Sequence, residues 1–129
     1  MRVLVVDDSS LVRARLASLV RDVVGVRVVD EAGNGDEALA VAKASQPDLV
    51  VLDIHMPGMN GFVALPRLKA LAPPPLVMVV TNDPSDRHRR HCLVLGADLF
   101  FDKSTQFDRV LELIAQLARE LASRTPRVV

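Results

Sequence analysis

At 129 residues, half of them hydrophobic and a quarter charged, the chain has the composition of one globular domain and not of a disordered segment. Sixteen basic residues balance sixteen acidic ones, which leaves no net field to draw the protein onto nucleic acid or an anionic membrane. A single cysteine excludes an internal disulfide, no aliphatic run is long enough to span a bilayer, and the strand-like run directly after Met1 leaves no room for a signal peptide; a cytoplasmic domain is expected.

Five short, valine-rich runs read as strands, at residues 3–6, 26–29, 49–52, 76–80 and 99–101. They mostly lack polar alternation, as parallel strands buried on both faces do. The segments between them are long enough for helical crossovers. The first, residues 10–24, places Val12, Leu16, Leu19, Val20 and Val23 at helical spacing. The second, residues 36–45, follows Gly33-Asn34-Gly35 and has an alanine-rich face. The third, about residues 62–71, contains Pro66, which should delay or kink it. The fourth, residues 84–95, opens on Asp83 as cap and Pro84 as first helical residue; its first turns are the basic run Arg87 to His91, with little to anchor them. The fifth, about residues 105–122, carries the stripe Phe107, Val110, Leu111, Ile114, Leu117 and Leu121, with Thr105 and Asp108 spaced as a capping box. Residues 1–122 therefore read as one doubly wound α/β domain, and residues 123–129 as a tail or linker stub.

In such a sheet, ligands sit beyond the carboxyl ends of the strands. There the sequence places Asp7 and Asp8 after the first strand, Asp53 after the third, Thr81 after the fourth, and Asp102 and Lys103 after the fifth. Asp30 and Glu31 after the second would be left aside at an edge. Three convergent carboxylates repel one another, and a hard divalent cation such as Mg²⁺ removes the conflict. No Gly-rich phosphate loop is present to accommodate a nucleotide, which leaves a site for a small phosphoryl group, with a carboxylate as the nucleophile.

Five segments carry a family resemblance: VVDDSS (5–10), LDIHMPGMNG (52–61), VVT (79–81), LGAD (95–98) and FFDK (100–103). Together, in this order, they resemble the receiver domain of two-component response regulators over essentially the whole chain. The resemblance implies a flavodoxin-like (βα)5 fold with strand order 2-1-3-4-5. It makes Asp53 the phospho-acceptor, Asp8 and Asp53 direct Mg²⁺ ligands, Asp7 the holder of a metal-bound water, and the His55 backbone carbonyl a further ligand. Lys103 would pair with the phosphoryl group, Thr81 would swing to bond it, and Phe100 would follow by turning inward. It further implies a sensor histidine kinase or histidine phosphotransfer protein as donor. A downstream partner would bind the surface formed by the fourth helix, fifth strand and fifth helix, which often also serves for homodimers.

The chain departs from the family pattern at Ser104, where proline usually follows the lysine through a cis bond, and at Asn82, where a small residue is usual. Asn82 is expected to narrow access to the phosphoryl pocket, while His55 and Asp83 occupy positions that tune dephosphorylation. Several residues also have plainer readings. Asp7 and Asp8 could cap a helix, Thr81 could belong to a turn, Lys103 could be solvated, and Phe100 could be core. The basic run Arg87 to His91 reads as a solvated or partner-docking face and not as a DNA contact. His88 and Cys92 have metal-ligand spacing with no further ligand evident, and Cys92 reads as a small core residue.

Two alternatives remain at this level. The chain could be the receiver part of a longer transcriptional regulator. It could instead be a Mg²⁺-dependent aspartyl-phosphate phosphohydrolase, which the His55 found two residues past Asp53, where such enzymes place a second acid, disfavours. The receiver reading is not an enzyme reading, since such a domain catalyses only its own phosphorylation and dephosphorylation.

Overall fold

The computed structural model describes residues 1–56 and 58–124. The valine-rich runs form β1 (Arg2–Val6), β2 (Val28–Ala32), β3 (Leu49–Leu52), β4 (Leu76–Thr81) and β5 (Leu99–Asp102). They pair in parallel, in the order β2-β1-β3-β4-β5. The crossovers are α1 (Ser10–Arg21), α2 (Gly35–Ser45), α3 (Gly61–Lys69), α4 (Asp86–Val94) and α5 (Phe107–Arg124).

The sheet separates two cores. On one face Val50 and Leu52 meet Ala38 and Ala42 of α2, Ala64, Leu65 and Leu68 of α3, and Cys92 of α4. On the other, Leu49 and Val51 meet Leu16 and Val20 of α1 with Val110 and Ile114 of α5. Every residue of β3 is buried, which explains its unbroken apolar sequence: both faces of the pleat meet helices. The doubly wound, flavodoxin-like expectation holds.

The differences lie at element ends. β2 runs over residues 28–32 and not 26–29, so Asp30 and Glu31 fall inside it, paired in register with Leu4 and Val5. Glu31 lies 3.4 Å from both Arg13 and Arg21 of α1. α1 stops at Arg21, three residues short of expectation, because the chain turns at Gly25 (φ +94), where a Cβ would meet Ala118 of α5 at 3.0 Å. α3 starts at Gly61 under an Asn60 cap, and Pro66 neither delays nor ends it. Pro66 sits on the exposed face, where water can satisfy the carbonyl it leaves unpaired.

α4 starts at Asp86 and not at Pro84. Its cap is Ser85, whose hydroxyl accepts from the His88 N–H at 3.2 Å, while the Asp83 N–H is committed to the Thr81 hydroxyl at 3.1 Å. Its basic first turns are not without packing: His91 stacks on Phe62 with centroids 4.5 Å apart, and the His88 ring lies 5.5 Å from the same phenyl. The expected Thr105–Asp108 capping box is also replaced. Asp102 and Gln106 bond reciprocally, each backbone N–H donating at 2.9 Å, to the Gln106 Oε1 and the Asp102 carbonyl respectively. α5 continues to Arg124, past the boundary expected at residue 122; residues 125–129 of the expected tail lie outside the described residues.

Cys92 is fully buried, and burial pushes its thiol up to about 11. At pH 8 only about one thiol in a thousand is then ionised, and that one is shielded. Cys92 is expected to resist iodoacetamide in the folded protein and to react fully in denaturant, as read by mass spectrometry.

Candidate functional site

The parallel ladder continues one residue beyond three strands. The Asp7 N–H donates to the Ala32 carbonyl at 3.1 Å, the Asp53 N–H to Val6 at 3.0 Å, and the Lys103 N–H to Thr81 at 2.8 Å. Sheet hydrogen bonds thus fix the backbones of all three residues at one rim.

Their side chains meet there. Lys103 Nζ donates to Asp7 Oδ2 at 2.6 Å and lies 3.4 Å from Asp53 Oδ2. Asp7 is 3 % exposed, and its other oxygen accepts from the Ser9 N–H at 2.9 Å. Its plainer role as a helix cap passes to Ser9, whose hydroxyl accepts from the Val12 N–H. Asp53 Oδ1 accepts from the His55 N–H at 3.2 Å. Asp8 is exposed and completes the group: Asp7, Asp8 and Asp53 each offer a carboxylate oxygen within 4.8 Å of the others.

Burial raises the pKa of Asp53; Lys103 opposes this, while the Asp7 charge adds to it. Burial alone would lower the pKa of Lys103, but its hydrogen bond with Asp7 and the charges of Asp53 and Asp7 prevail and hold it above the ordinary lysine value. One ammonium therefore stands against two carboxylates, with a third beside them. Hard oxygen donors with excess negative charge, open on the Asp8 side, fit Mg²⁺.

Thr81 is fully buried, and its hydroxyl accepts from the Asp83 N–H at 3.1 Å. Phe100 already lies inward: it is 6 % exposed, belongs to the core beneath α4, and has the Arg89 guanidinium 5.1 Å from its ring centroid. Asn82 is exposed at the same rim. Asp83 lies 3.5 Å from His55 Nε2 and 3.4 Å from His88 Nδ1.

The loop at Ser104 is held by hydrogen bonds. The cis bond among the described residues is Ala72–Pro73, and Lys103–Ser104 is trans. The Asp102 carboxylate accepts from the Ser104 N–H (2.9 Å), the Ser104 hydroxyl (2.7 Å) and the Thr105 hydroxyl (2.9 Å). These bonds, led by that of the Ser104 hydroxyl, lower the Asp102 pKa. Asp102 is thus a loop-forming residue whose part the sequence left undefined.

Gly61 is a second residue whose part was not legible. It sits where α3 crosses behind the site, and a Cβ there would lie 2.5 Å from the Ile54 Cα and 2.8 Å from the Asp53 carbonyl oxygen. It packs directly against the backbone of the Asp53 loop.

With this geometry in view, the comparisons are consistent. Residues 3–115 match the family model of the response regulator receiver domain. The crystal structure of the response regulator domain of Thermotoga maritima CheB superposes with a TM-score of 0.81 at 31 % identity, covering 98 % of each chain. The receiver domain of the putative response regulator NarL from Mycobacterium tuberculosis gives 0.82 at 29 % identity, covering 92 % of this chain and 95 % of that one. A protein-glutamate methylesterase/protein-glutamine glutaminase of Archaeoglobus fulgidus is 38 % identical over 96 % of this chain, which spans 35 % of that protein. The response regulator GacA of Pseudomonas aeruginosa is 33 % identical over 90 % of this chain and 54 % of its own length. The chain thus covers about a third to a half of these curated relatives. No helix among the described residues is long and apolar enough to cross a membrane. The sheet order, the carboxylate group facing a lysine at its rim, and the match over residues 3–115 converge: the chain belongs to the response regulator receiver domain family of two-component signalling.

Proposed function

We propose that this receiver takes a phosphoryl group onto Asp53 from a phosphohistidine, on a sensor histidine kinase or a histidine phosphotransfer protein, in a Mg²⁺-dependent step in the cytoplasm. The observation that carries this reading is the placement of Asp53: a carboxylate fixed by the sheet, bridged to Asp7 by Lys103 and grouped with Asp7 and Asp8 within ligand reach of one ion. An Asp53 oxygen attacks phosphorus, the bond from phosphorus to the donor imidazole nitrogen breaks, and a mixed carboxylic–phosphoric anhydride forms. Attack of water on phosphorus later returns the carboxylate and releases phosphate.

Asp8 and Asp53 would hold Mg²⁺ directly, with Asp7 behind a water and the His55 carbonyl as a further donor. When bound, the ion neutralises charge that gathers on the transferring phosphoryl oxygens. Lys103 supplies the remaining cation and orients the group. Thr81 responds by exchanging its Asp83 contact for a phosphoryl oxygen. Because Phe100 is already inward, the switch on this side consists of tightening the β4–α4 segment over a ring in place. The output face is α4-β5-α5, where Leu93 and Val94 are 48 % and 84 % exposed; it is the surface for a downstream protein or a second copy of the chain.

Intact-mass analysis after incubation with Mg²⁺ and acetyl phosphate tests the proposal. A single phosphoryl gain that accumulates, absent from Asp53→Asn and absent without Mg²⁺, supports it. Rapid turnover of a phosphoester with no adduct would replace it with the phosphohydrolase reading. Asn82→Ala is expected to label several-fold faster with acetyl phosphate; an unchanged rate removes Asn82 from the pocket.

The length of the relatives favours a second reading of the output. Methylesterase and GacA relatives are about two to three times as long as the matched region, so the same switched face could act on a domain joined to the receiver in one chain.

A further inference from the structure

We propose that His55, Asp83 and His88 form a second metal site, separate from the carboxylate trio, for a transition ion of the Zn²⁺ class. The residues come from the β3–α3 loop, the β4–α4 loop and the first turn of α4, and each offers a ligand atom within 4.8 Å of the others. Sequence spacing pairs His88 with Cys92, but that thiol is buried in the core, and the partners that meet His88 are brought by the fold.

The distances point to a shared ion. Asp83 Oδ2 lies 3.5 Å from His55 Nε2 and 3.4 Å from His88 Nδ1. Both are longer than the 2.7–2.9 Å of a charge-assisted hydrogen bond. Both match the roughly 3.4 Å that separates donor atoms around a tetrahedral ion with bonds of about 2.0–2.1 Å. Two imidazoles and one carboxylate are borderline donors that suit Zn²⁺ and leave one position open, whereas Mg²⁺ prefers the all-oxygen trio nearby.

The rings are also held. His55 and His88 pack edge to face with centroids 5.4 Å apart, and Phe62 backs His88. His88 Nδ1 additionally lies 3.1 Å from the Asp83 carbonyl; metal binding takes the tautomer protonated on Nε2, and that contact is released. His55 uses its ring here and its backbone carbonyl toward the trio, so the two sites do not compete for one atom. A bound ion ties α4 to the loop that carries Asp53.

The proposal does not rest on phosphoryl transfer, and its test needs none. Chelator-stripped protein is titrated with Zn²⁺ in excess Mg²⁺ against a chromogenic zinc chelator, and the histidine ring nitrogens are followed by NMR. One equivalent should bind with Kd below about 10 µM. The ring signals of His55 and His88 should shift while those of His91 do not. His55→Ala and His88→Ala should each weaken binding at least tenfold, while His91→Ala and Asp8→Asn leave it unchanged. Binding weaker than that threshold, undiminished binding in the His55→Ala/His88→Ala double variant, or Zn²⁺ shifts confined to other residues would overturn the site.

Discussion

Lys103→Ala is expected to slow phosphorylation by acetyl phosphate about 10²- to 10³-fold, the loss typical when one preorganised donor to a developing oxyanion is removed. The same change should lower stability in Mg²⁺-free buffer by about 2–3 kcal/mol. That is below the usual effect of breaking a buried pair, because the rim remains open on the Asp8 side. Its cause is the uncompensated pair Asp7 and Asp53, whose side chains are 4 % and 11 % exposed. The sign with pH follows from the raised lysine pKa. The stabilisation is complete below the unfolded value near 10.5 and is lost only as pH rises through the higher folded value. At neutral pH the wild type therefore carries all of it. Mg²⁺ should restore part of the variant's stability by screening the same carboxylates but should not restore the rate. Urea melts with and without Mg²⁺, together with mass-resolved labelling kinetics, measure both.

Gly61→Ala should be nearly as damaging, although alanine is the better helix former. The added Cβ meets backbone atoms of Ile54 and Asp53 at 2.5 and 2.8 Å, so α3 or the Asp53 loop must move. About 2–3 kcal/mol of destabilisation is expected, at the upper part of the overpacking range. Labelling of the residual folded protein should slow by up to about a hundredfold, since displacement of a reacting group by an ångström has that effect. Gly58→Ala is the contrast: its φ is +72, but nothing lies within 4 Å of the added carbon. It should cost only about 1 kcal/mol of backbone strain and leave the rate near that of wild type. Equal effects at the two glycines would remove the special role of Gly61.

These two residues mark what was legible in the chain. Asp53 and Lys103 could be found from sequence because each directly follows a buried apolar strand, and in a parallel sheet strand ends share one rim. The same reasoning brought Asp7, Asp8 and Thr81 to that rim. Gly61 was not legible, because its function is a close approach of α3 to the Asp53 and Ile54 backbone that no local pattern encodes. Asp102 went undefined because its hydroxyl partners, Ser104 and Thr105, become visible only once the loop is folded. The start of α4 was misplaced because Asp83-Pro84 and Ser85 are both good local caps; in the fold it is the Ser85 hydroxyl that accepts from the His88 N–H. His55, with its neighbours Asp83 and His88, needed three separate segments to converge, beyond the reach of spacing rules.

The most direct test of the central claim locates the phosphoryl group itself. Protein labelled with acetyl phosphate and Mg²⁺ is reduced with borohydride, which converts an aspartyl phosphate to homoserine, and its peptides are sequenced by mass spectrometry. Homoserine is expected at position 53 alone. Homoserine at position 7 or 8, or a borohydride-resistant phosphoryl group on the neighbouring His55, would contradict the assignment of Asp53.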